Sequence, residues 1–138
     1  MMTQPANMRE YALKKTAGLL EDVVLALHAA ADVLEEEAVH KIRVSIRRLQ
    51  QALRLFRQYF NAKGLEKVKT ELRSILQPAG ELRNRDIAIA LLTENGADAS
   101  VLSQQRSQLQ LELSATLQPY RQRDLSVEWR SRLGLGAA

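Results

Sequence analysis

Between His40 and Phe60 the chain carries six cationic side chains, Lys41, Arg43, Arg47, Arg48, Arg54 and Arg57, and no acidic one. His40, Arg43, Arg47 and Arg54 step by 3, 4 and 7 residues. On an ideal helix that spacing keeps them within about 60° of one another and spreads them over about 21 Å. Like charges stacked on one helix face are mildly destabilising, so the row makes physical sense once an anion completes it. Arginine suits phosphate because its planar fork donates two parallel hydrogen bonds. A repeated row suits a repeated anion, such as a nucleic-acid backbone or inorganic polyphosphate, bound with strong salt dependence. Gln51 and Gln58 lie on or beside the same arc and add neutral donors. The plainer reading of this face is a solvated surface, or one paired with acids of a neighbouring helix, and spacing alone does not choose.

The row needs a helix beneath it, and that helix needs a core. Ile42, Ile46, Leu49, Leu53, Phe56 and Phe60 step by 4, 3, 4, 3 and 4. They predict the buried seam of a helix over residues 36–60, about 100–160° around from the cations. Glu35, Glu36 and Glu37 suit its positive N-terminal end. Asn61, Ala62, Lys63 and Gly64 end it, with Gly64 as the breaker. A first helix is predicted over residues 6–33 after Pro5, with Tyr11, Leu13, Leu19, Leu20, Val23, Val24 and Leu27 as its apolar positions. A third covers residues 65–92, its apolar positions ending in Ile87, Ile89 and Leu91, with a kink or break at Pro78. A turn follows, with Asp98 or Ser100 as the next N-cap. A fourth helix covers residues 99–117 and continues with a bend through Pro119 to Arg132, carrying Leu102, Leu109, Leu113, Leu117 and Tyr120. Trp129 is expected to anchor this last stretch. Residues 1–5 and 134–138 are expected to fray. The sum is one all-α domain, an antiparallel four-helix bundle.

Composition narrows the chemistry. A chain of 138 residues fits one domain. The absence of cysteine excludes disulfides, zinc ribbons, iron–sulfur clusters and thiol catalysis. His28 and His40 are the only histidines, too few for a multi-histidine metal site. Aromatic residues make up 4%, too few for a base-stacking platform. The longest strongly apolar run, Val23 to Leu27, falls far short of the roughly 20 residues a membrane span needs. The first residues lack the pattern of a secretion signal, so a cytoplasmic protein is expected. The net charge of +4 is small for the whole chain, so the basic stretch is a local feature. No nucleophile–base set, convergent carboxylate pair or glycine-rich phosphate loop is present, and the contiguous glutamates 35–37 spread around a helix. The expectation is a binding module without catalytic residues, cofactor or metal.

The string Val39-His40-Lys41-Ile42-Arg43-Val44-Ser45-Ile46-Arg47-Arg48-Leu49, continued by Ala52-Leu53-Arg54-Leu55-Phe56, resembles the signature of the CHAD family, the conserved-histidine α-helical domains. The family's later Gly followed closely by Arg-Asp is similar to Ala79-Gly80-Glu81-Leu82-Arg83-Asn84-Arg85-Asp86. The glycine spacing favours Arg83-Asn84 as the counterpart, the dipeptide favours Arg85-Asp86, and both stay open. The resemblance implies an all-helical fold with a basic surface that binds inorganic polyphosphate. His40, Arg43, Arg47, Arg48 and Arg54 are the positions that carry over, and Lys41, Arg57, Arg83 and Arg85 complete the candidate set. Arg48 lies about 100° around the helix from Arg47, off the main row. Gln50 stands where the family is often basic. Family members usually contain two such bundles, whereas this chain has one motif. A homodimer would restore the pair; Val44, Leu55 and Tyr59 either cover a subunit or interhelical contact or simply widen the core stripe. His40 would donate a hydrogen bond and take up a proton beside the anion, strengthening binding on mild acidification. Association with polyphosphate granules follows from the resemblance. Non-specific nucleic-acid binding and a purely structural or regulatory dimer are the alternatives. Arg9, Lys14, Lys15, Lys63, Lys67 and Lys69 are read mainly as solvated charges, and no membrane partner is expected.

Overall fold

The computed structural model describes residues 5–30 and 34–136. Among these, five α-helices form: α1 (Pro5–Ala29), α2 (Glu36–Leu55), α3 (Ala62–Glu94), α4 (Ser100–Gln122) and α5 (Leu125–Leu133), with a 3-10 turn at Arg57–Tyr59 between α2 and α3. No strand occurs among the described residues, as expected of an all-α chain.

Each helix turns one apolar stripe inward. Helix α1 buries Ala12, Thr16, Leu20, Val23 and Leu27, and α2 buries Val39, Ile42, Ile46, Leu49 and Leu53. Helix α3 buries Leu65, Val68, Leu72, Ile75, Ala79 and Leu82, alternating steps of three and four. That spacing keeps one face of a straight helix on the core. Helix α4 contributes Leu113 and Leu117, and α5 contributes Leu125, Trp129 and Leu133. The stripes merge into one core. Helix α3 is central, packing against α2, α4 and α5, while α1 packs against α2, α4 and α5. Tyr11, Ile87 and Leu91 were read as core positions and are instead exposed.

The expected four-helix bundle becomes five helices because the last segment divides. Helix α4 carries Pro119 inside its length. The break comes later, at Arg123 and Asp124, where Asp124 Oδ1 accepts the Val127 N–H at 3.3 Å and starts α5. Helix α5 ends in a glycine cap: Gly134 adopts φ 76°, and the Leu135 N–H donates back to the Arg130 carbonyl at 2.9 Å. Helix α3 runs unbroken through Pro78. Helix α2 ends at Leu55, before the predicted Phe60, and the tighter 3-10 turn still buries Phe60. The predicted end of the first helix, at Val33, lies outside the described residues.

Gly64 does not break a helix. It sits in the first turn of α3, where Asn61 Oδ1 caps its N–H at 2.9 Å. A Cβ there would stand 1.7 Å from the Arg132 carbonyl oxygen, so glycine lets the end of α5 lie directly on α3.

Polar groups stitch these contacts. Glu71 on α3 accepts from Trp129 Nε1 at 2.9 Å and pairs with Arg123 at 2.8 Å. Arg123 also pairs with Glu128 at 2.9 Å. Glu21 on α1 pairs with Arg130 at 2.9 Å and accepts from Ser126 Oγ at 2.6 Å. Trp129 is fully buried, the anchor its sequence position suggested. Among the described residues, no helix is long and apolar enough to cross a membrane.

Candidate anion-binding surface

The amphipathic spacing of α2 sets its seam into the core and leaves its cations on the flanks. On the α3 flank, Arg43 lies within electrostatic reach of Arg47 and of Arg83. The Arg43 guanidinium is held below its ordinary pKa, first by burial and then by the charges of Arg47 and Arg83. Its Nε is buried and has no hydrogen-bond partner. A buried donor left unpaired costs free energy, and here it is also charged. Arg43 lies early in α2 and Arg83 late in α3, so the two helices run antiparallel.

The other end of the same flank confirms that direction. Gln50 and Arg54 of α2 line a hollow of about 240 Å³ with Lys69 and Arg73 of α3. Lys69, Arg73 and Arg83 share one arc of α3, within about 80°. A basic furrow therefore runs between α2 and α3, cationic on both walls. Lys69 makes a single exposed pair with Glu66 at 3.6 Å, a contact of little worth in water.

The remaining candidates lie elsewhere. His40, Lys41 and Arg48 line a groove of about 440 Å³ on the opposite flank of α2, with Asp22, Leu25, Ala26 and Ala29 of α1 and with Val44. Arg57 stands on the 3-10 turn and shares a hollow with Gln51, Arg54, Leu55 and Gln58 at the end of α2. The nine candidates thus divide between two flanks and one end of α2, and between α3 positions facing different neighbours.

The two readings of the downstream motif separate in space. Arg83 joins Arg43, whereas Arg85 Nε donates to Gln105 Oε1 on α4 at 2.9 Å. Asn84 is exposed. Asp86 is buried and accepts from Arg106 Nε at 2.9 Å. Arg106 also donates to the Leu34 carbonyl at 2.6 Å and to Gln110 Oε1. Arg83 thus faces the furrow, while Asp86 holds α4 and the segment leading into α2.

Arg73 was missed in the sequence, and Lys69 was read as an extension of the basic surface or, more commonly, a solvated charge. Their signal was the spacing of residues 69, 73 and 83, which repeats a helical face on α3. Two intervening positions on that face, Leu76 and Gly80, carry no charge and hide it. Among the described residues, no group of three or more His, Asp or Glu side chains is placed to hold a metal ion.

The CHAD domain family matches residues 17–138. No curated protein and no solved structure matches the chain.

Proposed function

Since the chain belongs to the CHAD domain family, we propose that it is a non-enzymatic module that binds inorganic polyphosphate along the furrow between α2 and α3. The observation that carries this reading is the gathering of cations from both helices on one flank, Arg43 with the charges of Arg47 and Arg83 upon it, and Arg54 with Lys69 and Arg73 around one hollow. A bound phosphoryl group supplies the negative charge that this cluster of guanidinium groups lacks. Arg47 and Arg83 hold the same stretch of ligand, and Arg54, Lys69 and Arg73 hold the next. No step of bond making or breaking is assigned to any of them.

The protein acts as a homodimer in this reading. The α1–α2 groove supports a contact there, because Leu25 is exposed and lines the groove with Val44. Association with polyphosphate granules follows from the binding itself.

The test is a titration at near-physiological salt with labelled long-chain polyphosphate, compared with single- and double-stranded nucleic acid of similar charge. Wild type is set beside an Arg43→Ala/Arg47→Ala variant whose helicity is checked. Preference for polyphosphate, lost in the variant, supports the reading. Equal or tighter binding of nucleic acid assigns the furrow to a sugar-phosphate backbone. Loss of dimer without loss of binding assigns these arginines to the interface.

A further inference from the structure

The cations of the furrow are gathered at its ends. Arg43, Arg47 and Arg83 form one cluster, and Arg54, Lys69 and Arg73 form the other around their hollow. Between the clusters, positions 47 and 54 are about 10 Å apart along α2, and positions 73 and 83 about 15 Å apart along α3. Between the clusters, the same arc of α3 presents Leu76 and Gly80. A Cβ placed on Gly80 would meet no atom within 4 Å, so the middle of the furrow is low and open.

We propose that this surface reads the length of its ligand: only a phosphate chain long enough to reach both clusters is held tightly. The proposal rests on the polyphosphate reading above and adds a threshold to it. One strand of a nucleic acid places a phosphate about every 3.4 Å, so a gap of about 10 Å corresponds to roughly three such steps. Phosphorus atoms in polyphosphate are joined through single oxygens and lie closer together, which sets about four phosphoryl groups as the lower bound. A shorter chain occupies one cluster at a time. A longer one reaches the second cluster intramolecularly, at high effective concentration. Once both clusters are filled, further length adds only alternative registers, so affinity should flatten.

The experiment is a calorimetric titration with orthophosphate, tripolyphosphate and fractionated polyphosphates spanning the threshold. Wild type is compared with Arg43→Gln/Arg83→Gln, Arg54→Gln/Arg73→Gln and Gly80→Phe. For wild type, affinity should rise on the order of 100-fold across the threshold and then level off. The Arg54→Gln/Arg73→Gln variant should bind long chains no better than it binds tripolyphosphate, so that its affinity no longer rises across the threshold. Gly80→Phe has room to fold and should weaken long chains alone. A smooth rise with length and no plateau overturns the threshold but leaves polyphosphate binding standing. So does equal affinity for tripolyphosphate and long chains. No binding at any length overturns the polyphosphate reading, and the threshold with it.

Discussion

Two arginine clusters touch α3, and they are built in opposite ways. Near the start of the helix, Arg123 donates to both oxygens of Glu71 and to Glu128, and Glu71 also takes the Trp129 N–H. These hydrogen bonds to Glu71 and Glu128 raise the pKa of Arg123 above its ordinary value, outweighing burial. Near the other end, Arg83 joins Arg43 and Arg47, burial and like charge lower the pKa of Arg43, and its Nε is unpaired. The first cluster spends its donors inside the fold and fixes α5 on α3. In the second, the Arg43 Nε has no acceptor and like charge stands beside it. Residue type does not separate a structural arginine from a binding one; the partners within reach do.

The comparison breaks first at Glu71. Glu71→Ala strips Arg123 and Trp129 of a shared acceptor and should cost about 2–3 kcal/mol in urea unfolding, with polyphosphate affinity unchanged in the folded protein. If binding fell with stability, the two clusters would not be independent.

Acid should act on the same cluster. Burial pushes the Glu71 carboxyl up, but hydrogen bonds from Arg123 and Trp129 and the charges of Arg123 and Lys67 outweigh it and hold it below its ordinary 4.5. Its contribution is therefore complete above the unfolded value and is lost as pH falls through the lower folded one. Wild type should lose stability over that acid range, and Glu71→Gln should show a shallower slope in pH-dependent unfolding.

The second cluster should respond the other way. Arg43→Gln should leave the free protein within about 0.5 kcal/mol of wild type and lower polyphosphate affinity about 10-fold, as loss of a charge-assisted hydrogen bond implies. Each arginine removed from the furrow should also flatten the dependence of log affinity on log salt by about one unit, read from titrations across ionic strengths. The smallest effect belongs to His40, which lines the α1–α2 groove with Lys41 and Arg48. His40→Gln should weaken binding less than Arg43→Gln. A larger loss would move the centre of the site across α2.

The seam of α2 was legible because strict steps of three and four survive in the structure from Ile42 to Leu53. The predicted cation row divides: Arg54 lines a hollow with α3, while His40 lines the groove with α1. The division of the last segment was not legible, because Pro119 is the louder signal, while the break depends on Asp124 capping α5. Gly64 was misread because its role lies in a contact with the Arg132 backbone, distant in sequence. The fate of Arg83 and Arg85 was open for a similar reason. Both lie on one helix two residues apart, and only the packing of α2 and α4 on different sides of α3 sends one to Arg43 and the other to Gln105. One wall of the furrow could be read from periodicity, and the second wall required the antiparallel pairing.

The most direct test is thermal unfolding with and without long-chain polyphosphate, for wild type and Arg43→Gln/Arg83→Gln. A ligand that binds only the folded state raises its melting temperature. The account predicts a salt-sensitive rise for wild type. It predicts that the variant alone melts at or above the wild-type temperature, because repulsion has been removed, and that polyphosphate no longer shifts it. A variant that melts lower without ligand and keeps the full wild-type shift would contradict the claim that these arginines are held open for an anion.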